Sequence, residues 1–129
     1  MPVFHLYKRI HLRGDALNEI IDDFCKEASM MLSVPAEEND GDPSLELTSE
    51  DIILIEDEGV VRGGSLQKLF ILGNVYGHPY RIAQDNLGEG DAVAKALAKV
   101  LRPHMPKSWK EGMGFIQVQL GENFSFARF

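Results

Sequence analysis

Cys25 is the only thiol in the chain, Ser65 and Lys68 stand in an S-x-x-K spacing, and the histidines are His5, His11, His78 and His104. Cys25 falls among Leu17, Ile21, Phe24 and Ala28 at helical spacing, which predicts a buried structural thiol rather than a nucleophile. With no second cysteine it forms no internal disulfide. The S-x-x-K pair matches a serine-nucleophile motif that needs a helix and a far larger scaffold, so it reads as chance. His5 and His11 share a strand face but stand about 20 Å apart by the rise of a strand, too far to hold one metal together. His78 and His104 have no nearby ligand spacing, and no metal is assigned.

The acidic run PAEENDGDPS at 35–44 invites a calcium-loop reading. In that register Ala36 falls at the first ligand position and Leu47 at the twelfth, where a bidentate glutamate belongs, so the run is predicted to be an exposed loop.

Charge is distributed unevenly. Residues 1–14 carry three bases and no acid, residues 15–58 carry fifteen acids against Lys26 alone, and residues 59–129 carry nine bases against five acids, giving a net charge of −7. Phosphate-backbone binding needs a basic footprint, so nucleic acid is not an expected partner. With 44% hydrophobic and 26% charged residues in a chain of 129, the composition suits one folded domain spanning 1–129 and excludes a membrane span. The first ten residues, MPVFHLYKRI, alternate instead of running apolar, so no signal peptide is read and a cytoplasmic location is expected.

The elements that must position any site follow from periodicity. Phe4, Leu6, Ile10 and Leu12 share one parity and predict a half-buried strand over 2–12. Leu17, Ile20, Ile21, Phe24, Ala28, Met31 and Leu32 recur at three and four, predicting a helix over 15–33 that ends before Pro35. Short strands are expected at 45–48 and 52–56, with Val60–Arg62 as a further short extended stretch. The apolar stretch within 66–73 suits a central strand covered on both faces. Residues 74–90 are turn-rich, Asp91 is the expected N-cap of a second helix, a strand is expected at 115–120, and 124–129 is expected to be a last strand or a tail. The predicted fold class is α+β: two β-α-β units, about 2–56 and 66–120, forming one mixed sheet with both helices on one face. The opposite face then lacks a cover, which predicts an oligomer.

The opening MPVFHLYKRIHLRGDALNEIIDDFCKEASMMLSVPAEE resembles the start of tautomerase-superfamily chains: Met-Pro, a strand, a helix of this length, then a break at Val34-Pro35. Gly63-Gly64-Ser65 before an apolar strand and the closing GFIQVQLGENFSFARF resemble the macrophage migration inhibitory factor and 5-carboxymethyl-2-hydroxymuconate isomerase branches more loosely. The resemblance implies removal of Met1, Pro2 as catalytic base, a small anionic carbonyl substrate, no cofactor, and a homotrimer with pockets at subunit boundaries. It also implies cationic groups for the substrate carboxylate, for which Arg62 and Arg81 are candidates, and a pocket-lining pair matching Phe115 and Gln117. Ser33 replaces the lysine that precedes the proline break in the inhibitory-factor branch. If Met1 is retained, the Pro2 nitrogen is a nonbasic amide and this chemistry stops. The alternative is a noncatalytic acidic module that masks a basic partner through the first helix and residues 37–58.

Overall fold

A computed structural model describes residues 2–10, 12, 14–57, 68–75 and 78–129. Among the described residues, five strands form one mixed sheet: β1 (Val3–Lys8), β2 (Ile53–Glu56), β3 (Leu69–Asn74), β4 (Gly114–Gln119) and β5 (Phe124–Arg128), in spatial order β2-β1-β3-β4-β5. β1 runs parallel to β2 and β3 parallel to β4, while the β1/β3 and β4/β5 pairs are antiparallel. Each parallel pair is joined through a long helix, α1 (Gly14–Leu32) in the first case and α3 (Glu89–Leu101) in the second. The expected mixed α+β sheet is therefore present. An added short helix, α2 (Pro79–Asn86), precedes α3.

Alternation decides what each strand buries. Phe4, Leu6, Leu69, Ile71, Ile116 and Val118 are at most 1% exposed, and they share one core with Leu17, Ile20, Phe24 and Leu32 of α1 and Val93, Leu97 and Leu101 of α3. α1 and α3 also touch each other. Asp15 lies in the first turn of α1, where a carboxylate meets the positive end of the helix.

Close approach across this core requires glycine at two sheet positions. A β-carbon on Gly114 would overlap the ring of Phe129, and one on Gly73 would overlap the ring of Phe4. Both rings are fully buried and have nowhere to move. Gly114→Ala should therefore cost about 1–3 kcal/mol as an overpacked core, whereas Gly14→Ala, with nothing within 4 Å of the added carbon, should be neutral or mildly stabilising. Thermal denaturation of the two variants side by side checks this, and equal melting temperatures would contradict it.

Several local expectations change. The first strand is shorter than 2–12 because pairing with β3 stops at Lys8↔Leu69. Residues 45–48 are not a strand. Pro43–Leu45 and Ser49–Asp51 form single turns of 3-10 helix, the first capped by Asp42 accepting from the Ser44 amide and the second by Asp51 accepting from the Thr48 amide at 2.7 Å. Leu45 is nonetheless buried, its carbonyl accepting from the Val34 amide at 2.8 Å. β3 is covered on one face only: Leu69 and Ile71 are buried, while Phe70 and Leu72 are half-buried. The turn-rich reading of 74–90 hid α2, whose start is fixed by His78 Nδ1 accepting from the Tyr80 amide and by Pro79 in its first turn. Asp91 lies inside the first turn of α3, and Gly88, at φ 75°, occupies the cap instead. The extended stretch Val60–Arg62 lies outside the described residues.

Cys25 is 9% exposed on α1, as the helical spacing predicts. Burial, and secondarily the charge of Asp22, raises its thiol above the ordinary range. A thiol with a raised folded-state pKa adds stability at pH values below the ordinary thiol range, and that contribution is lost as the pH climbs through it. Alkylation of native Cys25 at pH 8 should be at least about tenfold slower than in the denatured chain, because the thiolate is the reactive form. Equal rates would mean the thiol is open.

Among the described residues, no helix is long and apolar enough to cross a membrane.

Candidate functional site

Pro2 is buried at the head of β1, and its carbonyl accepts a hydrogen bond from the Ile53 amide at 3.0 Å. That bond belongs to the Val3↔Ile53 pair at the start of the parallel β1/β2 ladder, so the imino acid is held by the sheet itself. Val3 is also paired with Asn74 at the end of β3. The Pro2 nitrogen therefore sits where the ends of three strands meet. Met1 lies outside the described residues.

The residues of opposite parity to the core make up the second face of the sheet. Register places Ile55, His5, Leu72, Gln117 and Phe126 in one row across all five strands. Tyr7, Phe70 and Phe115 form the next row, ending at Arg128. Rings meet along and across these rows: Tyr7 stacks on Phe70 with centroids 4.7 Å apart, His5 on Tyr7 at 6.5 Å, and Phe115 lies 5.5 Å from Phe126. This face is open. Ile53, Ile55, Phe124 and Phe126 are between 36% and 52% exposed.

Polar groups punctuate it. Among the described residues, His5 Nδ1 is buried without a hydrogen-bond partner. The phenol of Tyr7 is raised above its ordinary range, first by burial and then by its hydrogen bond to Asp57 and the charge of that carboxylate. Asp57 is brought there by its own amide, which donates to the Leu6 carbonyl at 2.9 Å just past the end of β2. Sequence reading missed this group. The period of two in β1 placed His5 and Tyr7 on one face, but nothing in the sequence located Asp57 beside them.

Of the five residues proposed from sequence, the four described ones, Pro2, Arg81, Phe115 and Gln117, are not gathered at one point. Phe115 and Gln117 lie together on the open face, half-buried, on neighbouring rows. Arg62 lies outside the described residues. Arg81 is in α2, not at a strand end, and is 2% exposed. Its guanidinium donates to the carbonyl of Leu32 at 2.7 Å and to Gln84 Oε1 at 2.9 Å. Leu32 is the last residue of α1, so Arg81 satisfies one of the carbonyls that a helix end leaves without a partner. Burial pulls the Arg81 pKa down, with the nearby Tyr80 and Glu89 charges opposing; an arginine starts so high that it stays cationic. Asp85 on the same helix, 8% exposed, accepts from the Asn123 amide and side chain at 3.1 Å and ties α2 to the β4–β5 turn.

Chemically, the arrangement offers a strand-head proline, an apolar and aromatic sheet face, and a tyrosine and histidine on that face. No group of three or more His, Cys, Asp or Glu side chains among the described residues is arranged to hold a metal ion.

Fold and site together define a class: an α+β protein whose doubled β-α-β sheet carries a buried proline at the head of its first strand and a second apolar face with exposed edge residues. No family model matches the chain, and no curated protein matches it. Among solved structures it is similar to the "F6 fused 4-OT wild type asymmetric trimer", at 14% identity and a TM-score of 0.43, over 79% of this chain and 70% of that one. That likeness is distant and concerns the path of the backbone alone.

Proposed function

We propose that this protein is a cofactor-independent tautomerase or isomerase that moves a proton within a small keto-enol acid, with Pro2 as the base once Met1 is removed. The observation that carries this reading is Pro2 itself, buried and hydrogen-bonded into the sheet at the strand head. A proline nitrogen released from its peptide bond is a secondary amine on a rigid ring. Burial disfavours its charged form and lowers its pKa toward working pH, leaving a neutral amine able to accept a proton.

The step balances simply. The amine takes a proton from the carbon alpha to the carbonyl, the electron pair moves onto the carbonyl oxygen, and the proton is then returned to a different atom of the same molecule. Stabilising the enolate oxygen requires a donor or cation beside it. Arg62 serves the substrate carboxylate in this reading, whereas Arg81, engaged as a buried cap of α1, is not free to do so. Phe115 and Gln117 line the pocket from a neighbouring subunit, which requires the open faces to meet. A homotrimer supplies that contact and covers the exposed aromatic residues.

The test begins with the intact mass of the native protein and its sedimentation. A mass short by one methionine, a trimeric assembly, and catalysed exchange of the alpha protons of a 2-keto acid into heavy water are the expected results. A native mass that includes Met1 would end the proline mechanism.

A further inference from the structure

A second concave site lies on the far side of the molecule from Pro2. It is a cavity of about 370 Å³ between the outer stripe of α3 and β5, lined by Lys95, Ala98, Lys99, Arg102, Glu111, Phe126, Ala127 and Arg128. β3 and β4 intervene between this strand and β1, which puts the two sites about 14 Å apart or more at the usual strand spacing.

The chemistry of the lining is divided. Lys95, Lys99 and Arg102 follow one another at four and three residues, so they stand on one face of the helix. Arg128, on the edge strand β5, also lines the cavity. Of these four cations only Arg102 has an acidic partner among the described residues, Glu111 at 2.9 Å. Among the described residues, Lys95, Lys99 and Arg128 have no ion pair, in a protein whose net charge is −7. Beneath the charges the floor is apolar: Ala98 is 5% exposed, Ala127 is half-buried, and Phe126 borders both this cavity and the open sheet face.

A lysine stripe on a helix is ordinarily a solvated surface. Here it rims a depression with an apolar floor and an arginine from β5. The volume lies at the small end of the range for ligand pockets, which are mostly apolar with a few placed polar groups. Three cations at one rim, with no ion pair among the described residues, favour an anion, and the floor favours an apolar body attached to it. We propose that this cavity binds a small amphipathic carboxylate, its head between Lys95, Lys99 and Arg128 and its chain on Ala98, Ala127 and Phe126. This assignment does not rest on the Pro2 reading.

Octanoate is a suitable probe, with acetate and octanol as partners that lack the body and the charge. In amide NMR titrations of the native protein, octanoate should move the resonances of 95–102 and 126–128 along a saturable curve. Acetate and octanol should each bind at least about fivefold more weakly, since each lacks one half of the recognition. The double variant Lys95→Gln, Lys99→Gln alters only exposed side chains and should keep the native spectrum, yet lose at least about fivefold in octanoate affinity through the removed charges. Unchanged affinity in that variant, or shifts centred on the His5 and Leu72 row, would overturn the assignment. So would shifts that never saturate, or octanol binding as tightly as octanoate.

Discussion

Protein processed to begin at Pro2 is expected to turn over an enolisable 2-keto acid about 10²- to 10⁴-fold faster than the same chain still carrying Met1, the range a positioned general base contributes. The comparison uses one sequence in two processing states, so packing differences beyond the chain end do not confuse it. With Met1 attached, the Pro2 nitrogen is an amide whose lone pair is delocalised into the carbonyl, and it accepts no proton at working pH. With Met1 removed, the amine must lose its own proton before it can act. Activity of the processed form should therefore rise with pH as the amine becomes neutral, and the unprocessed form should lack that limb. Pro2→Ala keeps an amine but replaces the rigid ring by a mobile primary one, and a smaller loss is expected. Steady-state rates across pH for the three proteins check the prediction. Equal activity with Met1 present, or an unprocessed form showing the same rising limb, would remove Pro2 from the mechanism.

Arg81→Met should lower stability by about 2–4 kcal/mol, because hydrogen bonds to a charged donor are worth more than neutral ones and their loss strands buried acceptors. The stranded groups are the Leu32 carbonyl at the end of α1 and Oε1 of Gln84, both facing a site where Arg81 is 2% exposed. Water cannot readily replace the guanidinium there. For a chain of this size the loss corresponds to a melting temperature lower by on the order of 10 °C. Arg81→Lys keeps the charge but presents a single ammonium where a planar fork spans two acceptors, so an intermediate loss is expected. Amide exchange localises the effect: protection should fall first at the last turn of α1. If instead Arg81→Met melts like the parent protein and loses only affinity for a substrate carboxylate, its hydrogen bond to α1 is incidental and its role is recognition.

These two residues show where the sequence is legible. Pro2 stands out because a Met-Pro opening followed by a strand and a helix resembles one superfamily, a local and contiguous signal. Arg81 was singled out from the same resemblance, yet its environment is set by Leu32, a residue 49 positions away. Its short helix also escaped notice. α2 spans eight residues with Arg81, Gln84 and Asp85 as its buried set, so it carries no apolar stripe. Its start signal, a histidine side chain accepting from an amide ahead of Pro79, is indistinguishable in sequence from a loop.

Sequence alone determined the long amphipathic helices, the alternating strands and the doubled β-α-β order, because periods of 3.6 and 2 are written in neighbouring residues. It also determined that Cys25 is buried. Only the tertiary structure decided that Asp57 meets Tyr7, that Arg81 caps α1 instead of standing at a strand end, and that Lys95, Lys99 and Arg128 rim one cavity. Each of these joins residues far apart in the chain through strand register and helix docking, and those are set by the shared core that all the elements bury together.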